Sequence, residues 1–266
     1  MLVGAGDIAA CDGPASESVA AETAALVAAI PGIVFTAGDD AYEDGSAADF
    51  RTCYDPTWGA FKDRTLLPAI GNHEFKTPGG AGYFEYFGAR AGTPGEGWYS
   101  ADVGAWHVVV LDANCTIVGC GPGSAQYGWL IDDLRAHPAL CTLAIWHQPR
   151  FSSGLHHDDP AVAPFWDALS AAHADLVING HDHDYERFAP QSPDGRLDPS
   201  DGIREIVVGT GGAALRPFTQ TEPNREAASD DTHGVLVLTL HPASYDWRFV
   251  PVAGSTFTDS GSADCH

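Results

Sequence analysis

Seven side chains of the kinds that bind metal ions fall in five short words of the chain. They are Asp7 in GDIA, Asp39 and Tyr42 in GDDAY, Asn72 in GNHE, His147 in WHQP, and His181 with His183 in GHDH. Carboxylate, phenolate, amide oxygen and imidazole suit hard or borderline cations such as ferric iron, Mn²⁺ or Zn²⁺. A soft-metal or iron–sulfur site would need thiolates, and no cysteine lies in these words. Two cations about 3.5–4 Å apart need a bridging ligand, which a two-oxygen carboxylate can supply, and Asp39 is the expected bridge. The pattern predicts a two-metal hydrolase.

Each word follows a short apolar run of buried-strand type: Leu2–Gly6, Ile33–Ala37, Leu66–Ile70, Thr142–Trp146 and Asp175–Asn179. In open α/β sheets, sites form just outside the carboxyl ends of strands, so five such ends can meet in one crevice. Taken singly the residues have ordinary readings. An Asp after a strand is often a helix cap, an Asn after Gly a turn residue, and a Tyr a core ring with a satisfied hydroxyl. The case rests on their joint order along the chain.

That ordered set, Gly6-Asp7, Gly38-Asp39-Asp40-Ala41-Tyr42, Gly71-Asn72-His73-Glu74, His147 and Gly180-His181-Asp182-His183, resembles the calcineurin-like metallophosphoesterases. Tyr42, three residues after Asp39, and Asp184-Tyr185-Glu186-Arg187 after the last histidine are similar to the purple acid phosphatase branch. The resemblance implies two metal ions. Asp7, Asp39, Tyr42 and His183 would hold ferric iron; Asn72, His147 and His181, sharing Asp39, would hold Fe²⁺, Zn²⁺ or Mn²⁺. It further implies that His73 faces the substrate as an acid or phosphate-oxygen donor. His156 and His157, nine and ten residues beyond His147, resemble the paired substrate histidines of the larger plant-type enzymes.

The expected reaction is phosphate monoester hydrolysis, in which the cations neutralise developing charge while a metal-bound hydroxide attacks in line. His73, as the imidazolium, would protonate the leaving oxygen. A phosphodiesterase or nucleotide hydrolase using the same metal pair remains an alternative, as does a silent metal-binding module. Completeness of the ligand set together with His73 weighs against the last.

Other features invite over-reading. Gly209-Thr210-Gly211-Gly212 follows the strand run Glu205–Val208 but lacks the following lysine and loop length of a phosphate cradle, and reads as a tight turn at the rim. His107, His137, His173, His233 and His241 lie outside the motif words, where surface or packing roles are expected. Lys62 and Lys76 are the only lysines, which argues against a lysine nucleophile.

A chain of 266 residues with 44% hydrophobic content can bury a full core. Without a Pro/Ser-rich linker, low-complexity tract or repeat, 1–266 reads as a single metallophosphoesterase domain. The first motif begins at residue six, which leaves no room for the amino-terminal β-sandwich of larger family members. Helices are expected over Ser16–Ile30, Tyr127–His137 and Ala161–His173. Hairpins are expected from Trp98–Val103 with Trp106–Asp112, and from Gly234–Leu240 with Tyr245–Val252. Crossovers mixed with hairpins predict an α/β (α+β mixed) fold, a four-layer αββα sandwich with two mixed β-sheets, which is also the calcineurin-like phosphoesterase fold the resemblance implies.

The balance of 13 basic to 36 acidic residues, formally −23, repels polyanions and counts against nucleic acid or anionic membrane as partners; a small phosphate ester is the expected substrate. The acidity equally serves solubility. Six cysteines, in no zinc spacing, point to an oxidising compartment with up to three disulfides. Their pairing is open, although Cys115–Cys120 would close a short loop and Cys11 could reach Cys53. Met1 runs straight into the first strand and no apolar stretch approaches a membrane span. The expected location is therefore secreted or periplasmic, with the export signal already removed.

Overall fold

A computed structural model of the chain describes residues 1–10, 13–15 and 18–266. In chain order its elements begin β1 (Leu2–Ala5), α1 (Val19–Ala29), β2 (Ile33–Ala37), the single turn α2 (Ala47–Asp49), β3 (Thr65–Ala69) and α3 (Ala81–Phe87). Next come β4 (Tyr99–Val103), β5 (Trp106–Val110), α4 (Cys115–Val118), α5 (Ala125–Ala136), β6 (Cys141–Ile145), α6 (Ala163–Ala171) and β7 (Leu176–Asn179). The chain closes with β8 (Tyr185–Phe188), β9 (Arg204–Val208), β10 (Arg225–Ser229), β11 (Gly234–Leu240), β12 (Ser244–Pro251) and β13 (Asp259–Asp264).

Two mixed sheets result, one ordered β13-β12-β11-β1-β2-β3 and the other β10-β8-β9-β7-β6-β5-β4. Strands β1, β2 and β3 run parallel, as do β5, β6, β7 and β9. Each parallel set therefore brings its carboxyl ends to one edge.

Side-chain alternation builds the layers. Val108, Val110, Leu143, Ile145, Ile178 and Val208 of the second sheet join Leu2, Phe35, Leu67 and Leu236 of the first in one buried cluster. Their strand neighbours Val109, Ala144, Val177 and Val207 face the other way and pack with Leu130 of α5 and Phe165, Trp166 and Leu169 of α6. On the far side of the first sheet, α1 lies against β11 and contributes Ala20, Ala24 and Val27. The expected four-layer sandwich with two mixed sheets is what forms.

Boundaries follow local chemistry. Helix α1 starts at Val19 because the Ser18 hydroxyl caps it, accepting the Ala21 N–H; residues 16 and 17 of the expected helix lie outside the described set. At its other end the Arg64 guanidinium donates to the carbonyls of Val27, Ile30 and Gly32. The expected Ala161–His173 helix opens instead as a 3-10 turn, Pro160–Val162, before α6. Pro68 sits inside β3, which is possible because β3 is an edge strand. Strand β12 alternates buried Tyr245, Trp247 and Phe249 with exposed Asp246 and Arg248, so one face meets the core and the other water.

Cys115 pairs with Cys120, as the short spacing suggested, and Cys141 pairs with Cys265, tying β6 to the segment after β13. Cys53 is also disulfide-bonded, whereas Cys11, which the sequence left within its reach, lies outside the described residues. Among the described residues, no helix is long and apolar enough to cross a membrane.

Candidate metal centre

The strand ends deliver their polar residues to one place. Asp7 and Asp39 each stand two residues beyond a parallel strand of the first sheet, and His147 and His181 two residues beyond β6 and β7 of the second. Asp7, Asp39 and His181 all have positive φ (59°, 52° and 72°), an uncommon conformation for residues with a Cβ that costs on the order of 1–3 kcal/mol each. The strain turns their side chains into the crevice and the surroundings hold it. The Asp7 N–H donates to the Gly38 carbonyl at 2.9 Å, and the His181 N–H donates to Asp7 Oδ2 at 2.8 Å.

Two glycines beside these residues are required by close approach. A Cβ on Gly71 would lie 2.1 Å from Asp39 Oδ1, and one on Gly180 would lie 2.6 Å from Asp7 Oδ2.

One set of donors gathers around the Tyr42 hydroxyl oxygen, which lies 2.8 Å from Asp7 Oδ1, 3.1 Å from His183 Nε2 and 3.2 Å from Asp39 Oδ2. A second gathers on the other side of Asp39: its Oδ2 is 3.2 Å from His147 Nε2, and His147 Nε2 is 3.2 Å from His181 Nδ1. The same Asp39 oxygen touches both groups, which suits it to a bridging role. Asn72 Oδ1 is buried and has no hydrogen-bond partner among the described residues.

This arrangement fits cations better than it fits hydrogen bonds alone. Two carboxylate oxygens face one phenolic hydrogen, a buried amide oxygen has no donor among the described residues, and two carboxylates are almost wholly removed from water. Burial pushes Tyr42 well above the ordinary phenol range, and the Asp39 and Asp7 carboxylates add to it. Such a phenol becomes a phenolate donor only when a cation offsets those charges. Burial, with the His147 and His156 rings beside it, pushes His181 down to about 3, which keeps it neutral as a ligand must be. Burial alone would raise Asp39, but the neighbouring His147 and His73 imidazoles hold it below the carboxylate range.

The outer partners are in place as well. His147 Nδ1 is 2.7 Å from the Ala37 carbonyl and His183 Nδ1 is 2.8 Å from the Ala214 carbonyl, so each ring presents Nε2 inward. The glycine-rich turn after β9 buttresses this wall, its Gly211 and Ala213 N–H groups donating to the Gly6 and Asp7 carbonyls.

His73 flanks the centre. Its Nδ1 lies 2.7 Å from the Glu43 carbonyl and its Nε2 lies 3.8 Å from Asp39 Oδ2. His156 is also brought in, its ring tilted against His181 with centroids 4.2 Å apart. His157 is exposed, takes a φ of 62°, and contributes to the field at Glu222.

A family model for calcineurin-like phosphoesterases matches residues 5–185. The chain belongs to that family. This calcineurin-like phosphoesterase is 28% identical over 218 residues to purple acid phosphatase 15 of Arabidopsis thaliana, covering 68% of this chain and 40% of the relative. It is 26% identical over 242 residues to probable inactive purple acid phosphatase 1 of the same plant, covering 77% of this chain and 38% of that one. The chain thus spans less than half of either relative's length. Among solved structures it resembles purple acid phosphatase PPD1 from yellow lupin, with a TM-score of 0.76 at 20% identity over 99% of this chain and 53% of that one. It also resembles the Plasmodium inner-membrane-complex anchor GAP50, at 0.71 and 16% over 100% of this chain and 88% of that one. At those identities the two structures speak to fold alone. The family, its two-sheet fold and its purple acid phosphatase-like character are those the five motif words implied.

Several residues around the centre carry no role in the motif reading. The buried Glu74 carboxylate accepts N–H groups from Gly71, Asp39, Asp40 and Ala41, and Asp182 holds the His156 ring. Both stand inside the quoted words GNHE and GHDH, which was the available signal. Arg216, beside His156, had none.

Proposed function

We propose that this metallophosphoesterase hydrolyses small phosphate monoesters at a dinuclear centre. Asp7, Asp39, Tyr42 and His183 would hold ferric iron, and Asn72, His147 and His181, sharing Asp39, would hold Fe²⁺, Zn²⁺ or Mn²⁺. When bound, the two cations supply charge that neutralises phosphoryl oxygens and a lowered pKa for coordinated water. The observation that supports the reading is that Asp39 Oδ2 lies within 3.2 Å of both the Tyr42 hydroxyl, which also meets Asp7 and His183, and His147 Nε2, which also meets His181.

The chain's own residues do the rest. Asp39 accepts the His73 N–H at 2.9 Å, and the Glu43 carbonyl fixes the ring. Nε2 of His73 is therefore presented to the centre, where it can hold a proton for the departing oxygen. The His156 ring lies against His181. A monoester presents the small dianion that such a confined group of donors can surround. Two disulfides among the described residues and a net charge of −23 fit a protein exported to an oxidising compartment and acting on a free small molecule.

Hydrolysis of p-nitrophenyl phosphate and of bis-p-nitrophenyl phosphate by metal-loaded protein tests the reading. Faster turnover of the monoester supports it. A diester preference transfers the centre to phosphodiesterase chemistry, and no turnover of either ester makes the chain a silent relative.

A further inference from the structure

Arg216, like Arg64, forms no ion pair with a carboxylate among the described residues, in a chain with 36 acidic and 13 basic residues. Its guanidinium makes one side-chain hydrogen bond, from Nη1 to His156 Nε2 at 2.9 Å. His156 Nδ1 in turn lies 3.1 Å from Asp182 Oδ1. The chain of donors has a single consistent assignment. The guanidinium can only donate, so the Nε2 it approaches is the acceptor, and Nδ1 is the ring nitrogen that faces the Asp182 carboxylate. The fixed positive charge on this flank of the centre is therefore Arg216, and His156 acts as its mount.

That charge is anchored to the centre through the backbone. The Arg216 N–H donates to the His183 carbonyl at 3.1 Å, on the same loop whose Ala214 carbonyl orients the His183 ring. The His156 ring touches both the guanidinium and His181, so Arg216 stands at the rim of the centre, one imidazole away from His181. Among the described residues most of its N–H groups have no partner, and a guanidinium presents them as a planar fork that matches phosphate or carboxylate.

We propose that Arg216 is a specificity residue for the leaving group, pairing with a second anionic group, phosphate or carboxylate, borne by the ester. This rests on the phosphomonoesterase reading of the centre. Its physical sense lies in the net charge: a field of −23 disfavours multiply charged substrates at long range, and an unneutralised cation at contact distance offsets that repulsion locally.

The test uses Arg216→Gln and Arg216→Lys beside the wild type, all metal-loaded. Calorimetric titration with methylenebisphosphonate and with methylphosphonate compares two non-hydrolysable anions that differ by one charged group. The affinity ratio should fall about ten- to a hundredfold in Arg216→Gln, the scale of one lost charge-assisted contact, and less in Arg216→Lys, which keeps the charge but loses the fork. A ratio within about twofold of wild type in both variants, on the same scale, overturns the proposal. In parallel, kcat/KM for adenosine diphosphate and for 3-carboxyphenyl phosphate is taken relative to phenyl phosphate. A relative loss on the first assigns the partner as phosphate, a relative loss on the second as carboxylate, and loss on neither overturns the proposal. Should the phosphonate ratio fall as expected while the wild type releases phosphate from no ester, the anion subsite stands and the hydrolase reading fails. Hydrolysis by the wild type with unmoved ratios sinks the subsite alone.

Discussion

The Glu74 carboxylate accepts the Asp39 backbone N–H at 3.1 Å, and the Asp39 carboxylate accepts the His73 backbone N–H at 2.9 Å. Each of the two strand-end loops thus holds the other, and the residue best placed to bridge the metals is positioned by a buried acid that touches no metal donor atom of its own. Burial and the nearby Asp39 charge raise Glu74 to about 7, against the N–H groups that favour its anion.

Glu74→Gln replaces one accepting oxygen with an NH₂ that faces backbone donors. The expected cost is about 1–3 kcal/mol of stability, with weaker metal retention. Urea unfolding with chelator present, followed by metal content after dialysis, checks both parts. Unchanged stability and metal content would mean that the interlock is dispensable.

His73→Ala should lower kcat by about 10²–10⁴-fold while metal content stays at the wild-type level. Turnover and elemental analysis on the same preparation decide it. Metal lost along with activity would make His73 a ligand.

The closing motif has a structural job that its sequence did not disclose. Asp259, on β13, accepts from the Tyr185 hydroxyl at 2.7 Å, Arg187 Nε at 2.6 Å and Trp247 Nε1 at 3.1 Å. Its side chain is 9% exposed. Burial alone would raise its pKa, but the Arg187 and Tyr185 hydrogen bonds override burial and hold Asp259 below the carboxylate range. A depressed carboxylate contributes stability that is complete above its unfolded value of about 4 and is lost as pH falls through its lower folded value. Asp259→Asn should therefore cost about 2–4 kcal/mol near neutrality and less at pH values well below the unfolded carboxylate value of about 4. Urea unfolding at both ends of that range measures the difference; an equal loss at both would refute the linkage.

The Cys141–Cys265 disulfide spans a sequence separation of 124, against 5 for Cys115–Cys120. Replacing Cys141 and Cys265 together by Ser should cost about 2–5 kcal/mol, more than the matching change at the short loop, because the longer loop confines the unfolded chain more. Melting temperatures of the two double variants compare them. A larger loss at the short loop contradicts this ranking.

Much of the fold was legible because apolar runs end abruptly in polar words. The run Gly234–Leu240 carried its own limits, and β1, β2 and β7 needed at most a residue's adjustment. What sequence did not disclose falls into two kinds. Strands β8, β10 and β13 are short and rich in polar residues such as Glu186, Arg187, Glu226 and Asp259, and they exist because partners such as the Arg187–Asp259 pair hold them to the sheets. Arg216 and Asp182 gain their places beside His156 only through folding, since contacts between residues far apart in sequence leave no periodic trace. The donor words were readable because strand-end spacing is rigid. The His156–His157 loop was less so, and there the structure brings the His156 ring against His181 and holds the exposed His157 at a positive φ.

The most direct measurement is metal content and visible absorption of purified protein beside Tyr42→Phe. Two metal ions per chain, with a broad charge-transfer band that Tyr42→Phe abolishes while metal content is kept, is the predicted result. A single ion or none per chain after loading with iron, zinc and manganese would contradict the dinuclear centre, and a fully loaded, active but colourless wild type would contradict ferric iron at Tyr42.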